Sequence, residues 1–126
     1  MKLIERNYYL NALLAVKDIP DIKVITGVRR SGKSKLMDAL ISVISKDISA
    51  NIVRIKLNLK KNESLLDGDK LYEYIEQQYD DEKNNYLFID EVQMCDGFER
   101  VINSIYEEEL YDIYLTGSNA FLLAPT

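Results

Sequence analysis

Histidine is absent from this chain, and Cys95 is its single cysteine. The first absence removes the commonest metal ligand and the commonest general base near neutral pH. The second excludes an internal disulfide and any cysteine-rich zinc site. Chemistry, if there is any, must run on carboxylates, Lys, Ser, Asn and a hard metal ion. No apolar run approaches the ~20 residues of a membrane span, and the opening MKLIERNYYL is broken by charges where a signal peptide needs an apolar core. A cytoplasmic protein without a membrane segment is expected. A basic excess is missing too: 16 Lys and Arg stand against 21 Asp and Glu, a net charge of −5. That balance does not support nucleic-acid binding, which calls for a clustered cationic face. It leaves room for an anion site built from backbone amides. Low-complexity linkers and internal repeats are also absent. What remains is 126 residues, 47% hydrophobic and 29% charged, which is one globular domain's worth of chain.

Within that length helical and strand patterns alternate. Tyr9, Leu10, Leu13, Leu14 and Val16 recur at roughly helical spacing between Glu5 and Lys17, and Pro20 with Asp21 closes that element. KVIT, Lys23 to Thr26, is a short β-branched run that stops at Gly27, the profile of a buried strand. Leu36, Met37, Leu40, Ile41 and Ile44 then make one apolar helix face. In NIVRIKLNLK, Val53, Ile55, Leu57 and Leu59 alternate with Arg54, Lys56, Asn58 and Lys60; one charged face predicts a half-covered strand at the sheet edge. Lys60 and Lys61 read as its solvated end. Asp69 is the expected cap of a helix running to about Tyr79 with Leu71, Tyr72, Ile75 and Tyr79 inward. YLFID, Tyr86 to Asp90, is a continuously apolar strand ending in acids. A helix from Gly97 carries Phe98, Val101, Ile102, Ile105 and Tyr106 on one face, and DIYLTGSN is an apolar strand emptying into small polar residues. Such alternation builds an α/β fold, a parallel sheet with helices on both faces.

Three constellations carry chemistry. Gly27, Gly32, Lys33 and Ser34 match GxxxxGK[ST], a phosphate-binding loop, with the required strand before and helix after. Backbone amides from Gly27 through Lys35, passing Val28, Arg29, Arg30 and Ser31, and the positive end of a helix starting near Lys33 would form the anion site. Glycine is needed where a side chain would block the phosphates. Lys33 would reach the β- and γ-phosphates, and the Ser34 hydroxyl would ligate Mg²⁺. The bland reading is a glycine turn capping an amphipathic helix. Arg29 and Arg30 suit phosphate, a neighbouring carboxylate or solvent equally well. The second constellation, YLFIDEV, delivers Asp90 to a strand's carboxyl end, where ligands bind in open α/β sheets. Asp90 would hold the Mg²⁺, mostly through water, and Glu91 would orient and polarise an attacking water. The third, YLTGSN, offers Ser118 and Asn119 as neutral groups able to bond water or a γ-phosphate, although Gly-Ser-Asn is also a common turn. The nine tyrosines read as packing, and Cys95, without a histidine partner, is no catalytic thiol.

TGVRRSGKS, FIDEVQ and LTGSNAFLL, in this order, resemble the prokaryotic AAA-type P-loop ATPase family, and the likeness covers nearly the whole chain. The resemblance implies a three-layer P-loop NTPase fold, ATP with Mg²⁺ as cofactors, and slow hydrolysis. It implies that the Asn-bearing strand lies between the P-loop strand and the acidic strand. Walker A maps onto Gly27 through Ser34, Walker B onto Asp90 and Glu91, and sensor 1 onto Asn119, with Ser118 a lesser candidate. Family members run on to a fifth strand, an arginine finger or second sensor, and further domains. The expectation is therefore an N-terminal fragment or a truncated gene product over residues 1–126, whose P-loop strand is left at an exposed edge that invites self-association.

Two other functions compete. A P-loop kinase for a nucleotide or small molecule would share the loop, yet it needs an arginine-rich lid, and only Arg100 follows the acidic strand. A nucleotide-binding switch or scaffold that does not turn over is the other, since an arginine finger supplied elsewhere can be worth 10³ to 10⁵ in rate. A GTPase fits less well, because no NKxD-type motif is present and the acidic strand reads DEVQ, not DxxG.

Overall fold

A computed structural model describes residues 14, 15, 17, 18, 21–25 and 30–117. Fully within the described residues, four strands, β1 (Lys23–Ile25), β2 (Ala50–Lys56), β3 (Asn84–Asp90) and β4 (Asp112–Thr116), alternate with three helices, α1 (Arg30–Ile44), α2 (Gly68–Gln78) and α3 (Phe98–Glu108). Short 3₁₀ segments, Lys60–Leu66 and Val92–Met94, follow β2 and β3. The strands form one parallel sheet in the order β1-β4-β3-β2. The strand that leads toward Asn119 thus lies between the P-loop strand and the acidic strand, as the resemblance implies. β2 is an edge strand, as its alternation predicts, and β1 is the other edge among the described residues.

The layering follows from handedness. The chain crosses from β1 to the far edge at β2 and then returns through β3 to β4. Right-handed crossovers made in opposite directions place their helices on opposite faces. Two apolar clusters record the result. Leu36, Met37, Leu40 and Ile44 of α1 bury against Ile25, Tyr86, Phe88 and Tyr114. On the other face Leu71 and Ile75 of α2, and Phe98, Val101, Ile102 and Ile105 of α3, bury against Val53, Ile55, Leu87, Ile89, Ile113 and Leu115. β3 is apolar without a break because both its faces are covered: Tyr86 and Phe88 point one way, Leu87 and Ile89 the other. Phe88 and Tyr114 are register partners and stack at 4.7 Å between ring centroids.

Four local expectations change. The strand read across NIVRIKLNLK ends at Lys56, and Leu59 is exposed. The cap of α2 is Asp67, whose side chain accepts from the Asp69 amide at 2.9 Å; Asp69 lies inside the first turn. Gly68 opens the helix because a Cβ there would come within 2.9 Å of the Asp96 carbonyl oxygen. α1 begins at Arg30, about a turn before Lys33, so Gly32 is helical despite its poor propensity. Tyr106, assigned to the buried face of α3, is on its border and exposed. The N-terminal helix expected between Glu5 and Lys17 falls almost wholly outside the described residues; of it, Leu14 and Ala15 are helical and Leu14 packs on the α1 face.

Candidate functional site

Of the polar groups the motifs single out, Lys33, Ser34, Asp90 and Glu91 are described, and they lie toward the carboxyl ends of the strands. From β1 the connection goes to the α1 face, and from β3 it goes to the α2 and α3 face. Such a divergence opens the crevice in which doubly wound sheets hold ligands. α1 enters from this side. The backbones of Arg30 and Ser31 form its first turn with Gly32, which is buried, and Lys33, Ser34 and Lys35 follow. First-turn amides have no partner within their own helix and face outward along its axis with the positive end of the dipole. Gly27, Val28, Arg29, Ser118 and Asn119 lie outside the described residues.

Lys33 is half-buried and turns toward the sheet, where its Nζ donates to the Gly117 carbonyl oxygen at 2.9 Å. The second glycine loop of the sequence, LTGSN, and the first are thereby joined by one lysine. Lys35, one residue beyond Ser34, is exposed.

Asp90 ends β3 with only 5% of its surface exposed. An isolated carboxylate at that depth is strongly disfavoured, so it requires a partner. The partner is Arg54 of β2. Its Nε and Nη2 each donate to one Asp90 oxygen at 2.9 Å, a bidentate fork. Nη1 donates to Asp38 Oδ1 at 2.7 Å, and Nη2 lies 3.5 Å from Ser34 Oγ, the outer limit of a hydrogen bond. Burial opposes the guanidinium's charge, but the bonds from Asp90 and Asp38 outweigh it and raise the pKa further. The alternation in β2 predicts Arg54 on the strand's charged, uncovered face. The parallel register pairs Arg54 with Phe88, and side chains two residues apart share a face, so the charge lies beside Asp90. Asp38 and Ser34, four residues apart on α1, share a helix face. That spacing is legible in the sequence, whereas the link to Arg54 requires the register.

Glu91, next to Asp90, adopts φ 56° and ψ 52°, a left-handed conformation uncommon for a non-glycine residue. Its amide donates to the Oγ1 of buried Thr116 at 3.1 Å, tying the end of β3 to β4. Its carboxylate Oε1 accepts from Gln93 Nε2 at 2.9 Å, while Gln93 Oε1 is buried without a hydrogen-bond partner among the described residues. Thr116 and Gln93, which the motifs did not single out, thus hold the backbone and the carboxylate of Glu91. Cys95 lies just beyond; burial, aided by Asp67, Asp96 and Glu99, pushes its thiol up to about 11, so it remains protonated at neutral pH.

Clefts elsewhere are unsuited to polyanions. A groove of about 800 Å³ between α2 and α3 is lined by Asp67, Asp69, Glu73, Glu76 and Asp96, against which Arg100 is the single cation among the described lining residues. A depression of about 680 Å³ at the amino ends of β3 and β4 carries Asp18, Glu107, Glu109 and Asp112, with no cation among its described lining residues. No group of three or more Asp, Glu, Cys or His capable of holding a metal exists among the described residues. No helix among them is long and apolar enough to cross a membrane.

Comparison with known proteins adds a family. The model of a family described as AAA domain matches residues 20–126. An uncharacterized protein of Haemophilus influenzae is 33% identical over 125 residues, covering 97% of this chain and 31% of that protein. The uncharacterized protein MJ1544 of Methanocaldococcus jannaschii is 28% identical over 127 residues, 98% of this chain and 27% of that protein. The chain therefore spans less than a third of the length of these relatives.

Proposed function

The chain belongs to the AAA domain family, and on that premise we propose that it binds ATP and hydrolyses it with Mg²⁺ at the carboxyl ends of β1, β3 and β4. The observation that carries this reading is the convergence of Ser34, Arg54 and Asp90 beside the first turn of α1. An acid from one strand and a hydroxyl from the helix already meet around a cation. Both donors are hard oxygens, and Mg²⁺ favours one or two carboxylates completed by phosphate oxygens and water. The residues therefore fit the ion: Ser34 and Asp90 would hold it, and its charge would offset that of the β- and γ-phosphates.

The remaining roles follow from position. Amides of Gly27 to Ser34 would cradle the phosphates, with Val28, Arg29, Arg30 and Ser31 in the loop and Lys35 at its helical end. Lys33, free to exchange the Gly117 carbonyl for a stronger anionic acceptor, would bind the β- and γ-oxygens. Glu91 would orient a water whose oxygen attacks the γ-phosphorus while the bond to the β-phosphate oxygen breaks. Asn119 would steady that water or the γ-phosphate without titrating. A cytoplasmic setting and self-association through the β1 edge belong to the same proposal.

A second reading, a nucleotide-responsive module that does not turn over, is favoured by the Glu91 carboxylate already being held by Gln93. Single-turnover hydrolysis measured beside equilibrium ATP binding separates the two. Hydrolysis that disappears in Glu91→Gln while binding persists supports the ATPase; binding without hydrolysis in the unaltered protein supports the module.

A further inference from the structure

We propose that Arg54 is a resident counter-cation: its guanidinium occupies the place between Ser34 and Asp90 that a nucleotide-bound divalent ion would take, and has to leave Asp90 when metal and nucleotide load. The proposal rests on the nucleotide-binding reading above and assigns a task to a residue outside every motif of the chain.

Four observations support it. Asp90 is almost fully buried, so its charge must be balanced at all times, with or without a ligand. Arg54 uses both of its oxygens. A carboxylate so engaged has no oxygen facing a metal or a metal-bound water at full strength, and a guanidinium and a divalent ion on one carboxylate repel each other at contact distance. The same fork extends to Ser34 Oγ, the second expected ligand, so that one cation spans both donors. Finally, Arg54 has a second anchor. Asp38 is half exposed and sits one helical turn beyond Ser34, so the guanidinium can release Asp90 and keep an ion pair at the rim. Because the fork holds both acids at once through different nitrogens, it can give up Asp90 without losing Asp38. Arginine suits it better than lysine, because its planar fork serves a carboxylate bidentately while a third nitrogen reaches elsewhere.

The consequence is linkage. While Arg54 holds Asp90, metal binding must offset the loss of that bond, so the resident cation lowers apparent metal affinity. It also leaves a positive charge near the phosphates when metal is scarce. Removing it should therefore move two quantities in opposite directions, whereas a merely structural arginine would weaken both.

The test titrates Mg²⁺ into the protein with a fluorescent, slowly hydrolysed ATP analogue at fixed ionic strength, and repeats analogue binding in chelator. Arg54→Gln should lower the Mg²⁺ concentration at half-saturation on the order of tenfold and weaken chelator-state binding. Arg54→Lys should fall between it and the unaltered protein. An Mg²⁺ midpoint that stays or rises in Arg54→Gln, with analogue binding retained, overturns the counter-cation alone. No binding by the unaltered protein in either condition removes the nucleotide reading beneath it. Should Arg54→Gln not fold, the unaltered protein decides: its Arg54 Nε–H resonance should shift on adding analogue with Mg²⁺, and much less on adding analogue with chelator. Equal shifts in the two conditions overturn the proposal.

Discussion

The two ends of the sheet each bury a carboxylate against a cation, and they use it differently. At the amino ends, Asp112 pairs with Lys23, the two side chains being 9% and 7% exposed. Its other oxygen accepts from the Tyr114 hydroxyl at 2.8 Å and the Asp18 amide at 3.0 Å. Lys23 also lies over the Tyr114 ring, Tyr86 donates to Asp18 Oδ1 at 2.9 Å, and Lys17 pairs with Asp18 at 2.6 Å. Asn85 ties β3 to Asn51 and Asp80. These partners come from all four strands, the segment before β1 and the turn that follows α2, and most of the groups bond one another. At the carboxyl ends, Arg54 divides itself between a buried and an exposed acid, Lys33 makes do with a neutral carbonyl, and Gln93 carries a buried oxygen without a partner among the described residues. A network that is complete stabilises; one made of replaceable bonds can trade them for a ligand. On the proposed function, the contrast separates a buried charge that serves the architecture from one that would serve a site.

That contrast is most exposed at Glu91. Glu91→Gln should slow ATP hydrolysis about 10² to 10⁴-fold in single turnover and leave ATP affinity within roughly threefold, because its amide can keep the Gln93 bond. Equal loss of binding would place Glu91 with the architecture. Next comes Lys23→Met at the other end, which leaves Asp112 buried without its cation. Chemical denaturation should show a loss of about 3–5 kcal/mol, with ATP affinity per folded molecule unchanged. A variant that is fully stable, or one with weakened ATP binding once folded, would erase the distinction between the ends.

Lys33→Ala is the mirror of that experiment. Removing a charge whose partner among the described residues is a backbone carbonyl should change stability by less than about 1 kcal/mol, yet weaken ATP binding by about 2–5 kcal/mol, read by calorimetric titration. Undiminished affinity would count against the phosphate-binding role. The smallest effect probes the amino end through pH. Burial works against the Asp18 carboxylate, but hydrogen bonds from Lys17 and Tyr86 outweigh it and leave the pKa below its usual 3.8. A depressed carboxylate contributes stability above its unfolded pKa and loses it as pH falls through the folded value. Asp18→Asn should therefore lower the melting temperature slightly at neutral pH, and the gap to the unaltered protein should close below about pH 3.8. A gap that persists in acid would show that charge is not what Asp18 supplies.

Much of the architecture is legible in the sequence, for reasons that are local. The helix faces of α1 and α3 repeat at the period of a helix, and β3 is apolar throughout because it is covered on both sides. The GxxxxGK[ST] pattern is contiguous, so Lys33 and Ser34 need no fold to be noticed. Asp67 escapes notice because Asp69, two residues later, is an equally good cap in sequence, and only the close packing of Gly68 against Asp96 settles which acid precedes the helix. Arg54 escapes for a different reason. Within β2 it is one of several alternating cations, indistinguishable from Lys56 until the pairing with β3 is known.

Residue order alone specifies the kind and succession of elements, the glycine loop between strand and helix, and the acids at the end of an apolar run, because periodicity and turn chemistry act over a few residues. The order β1-β4-β3-β2, the fork from Arg54 to Asp90, the bond from Lys33 to Gly117 and the closed network around Asp112 arise only when the chain is folded. Those features depend on which distant strands become neighbours and in what register. Crossover handedness and the burial of two faces set that outcome, and it brings charges far apart in the chain within hydrogen-bonding distance.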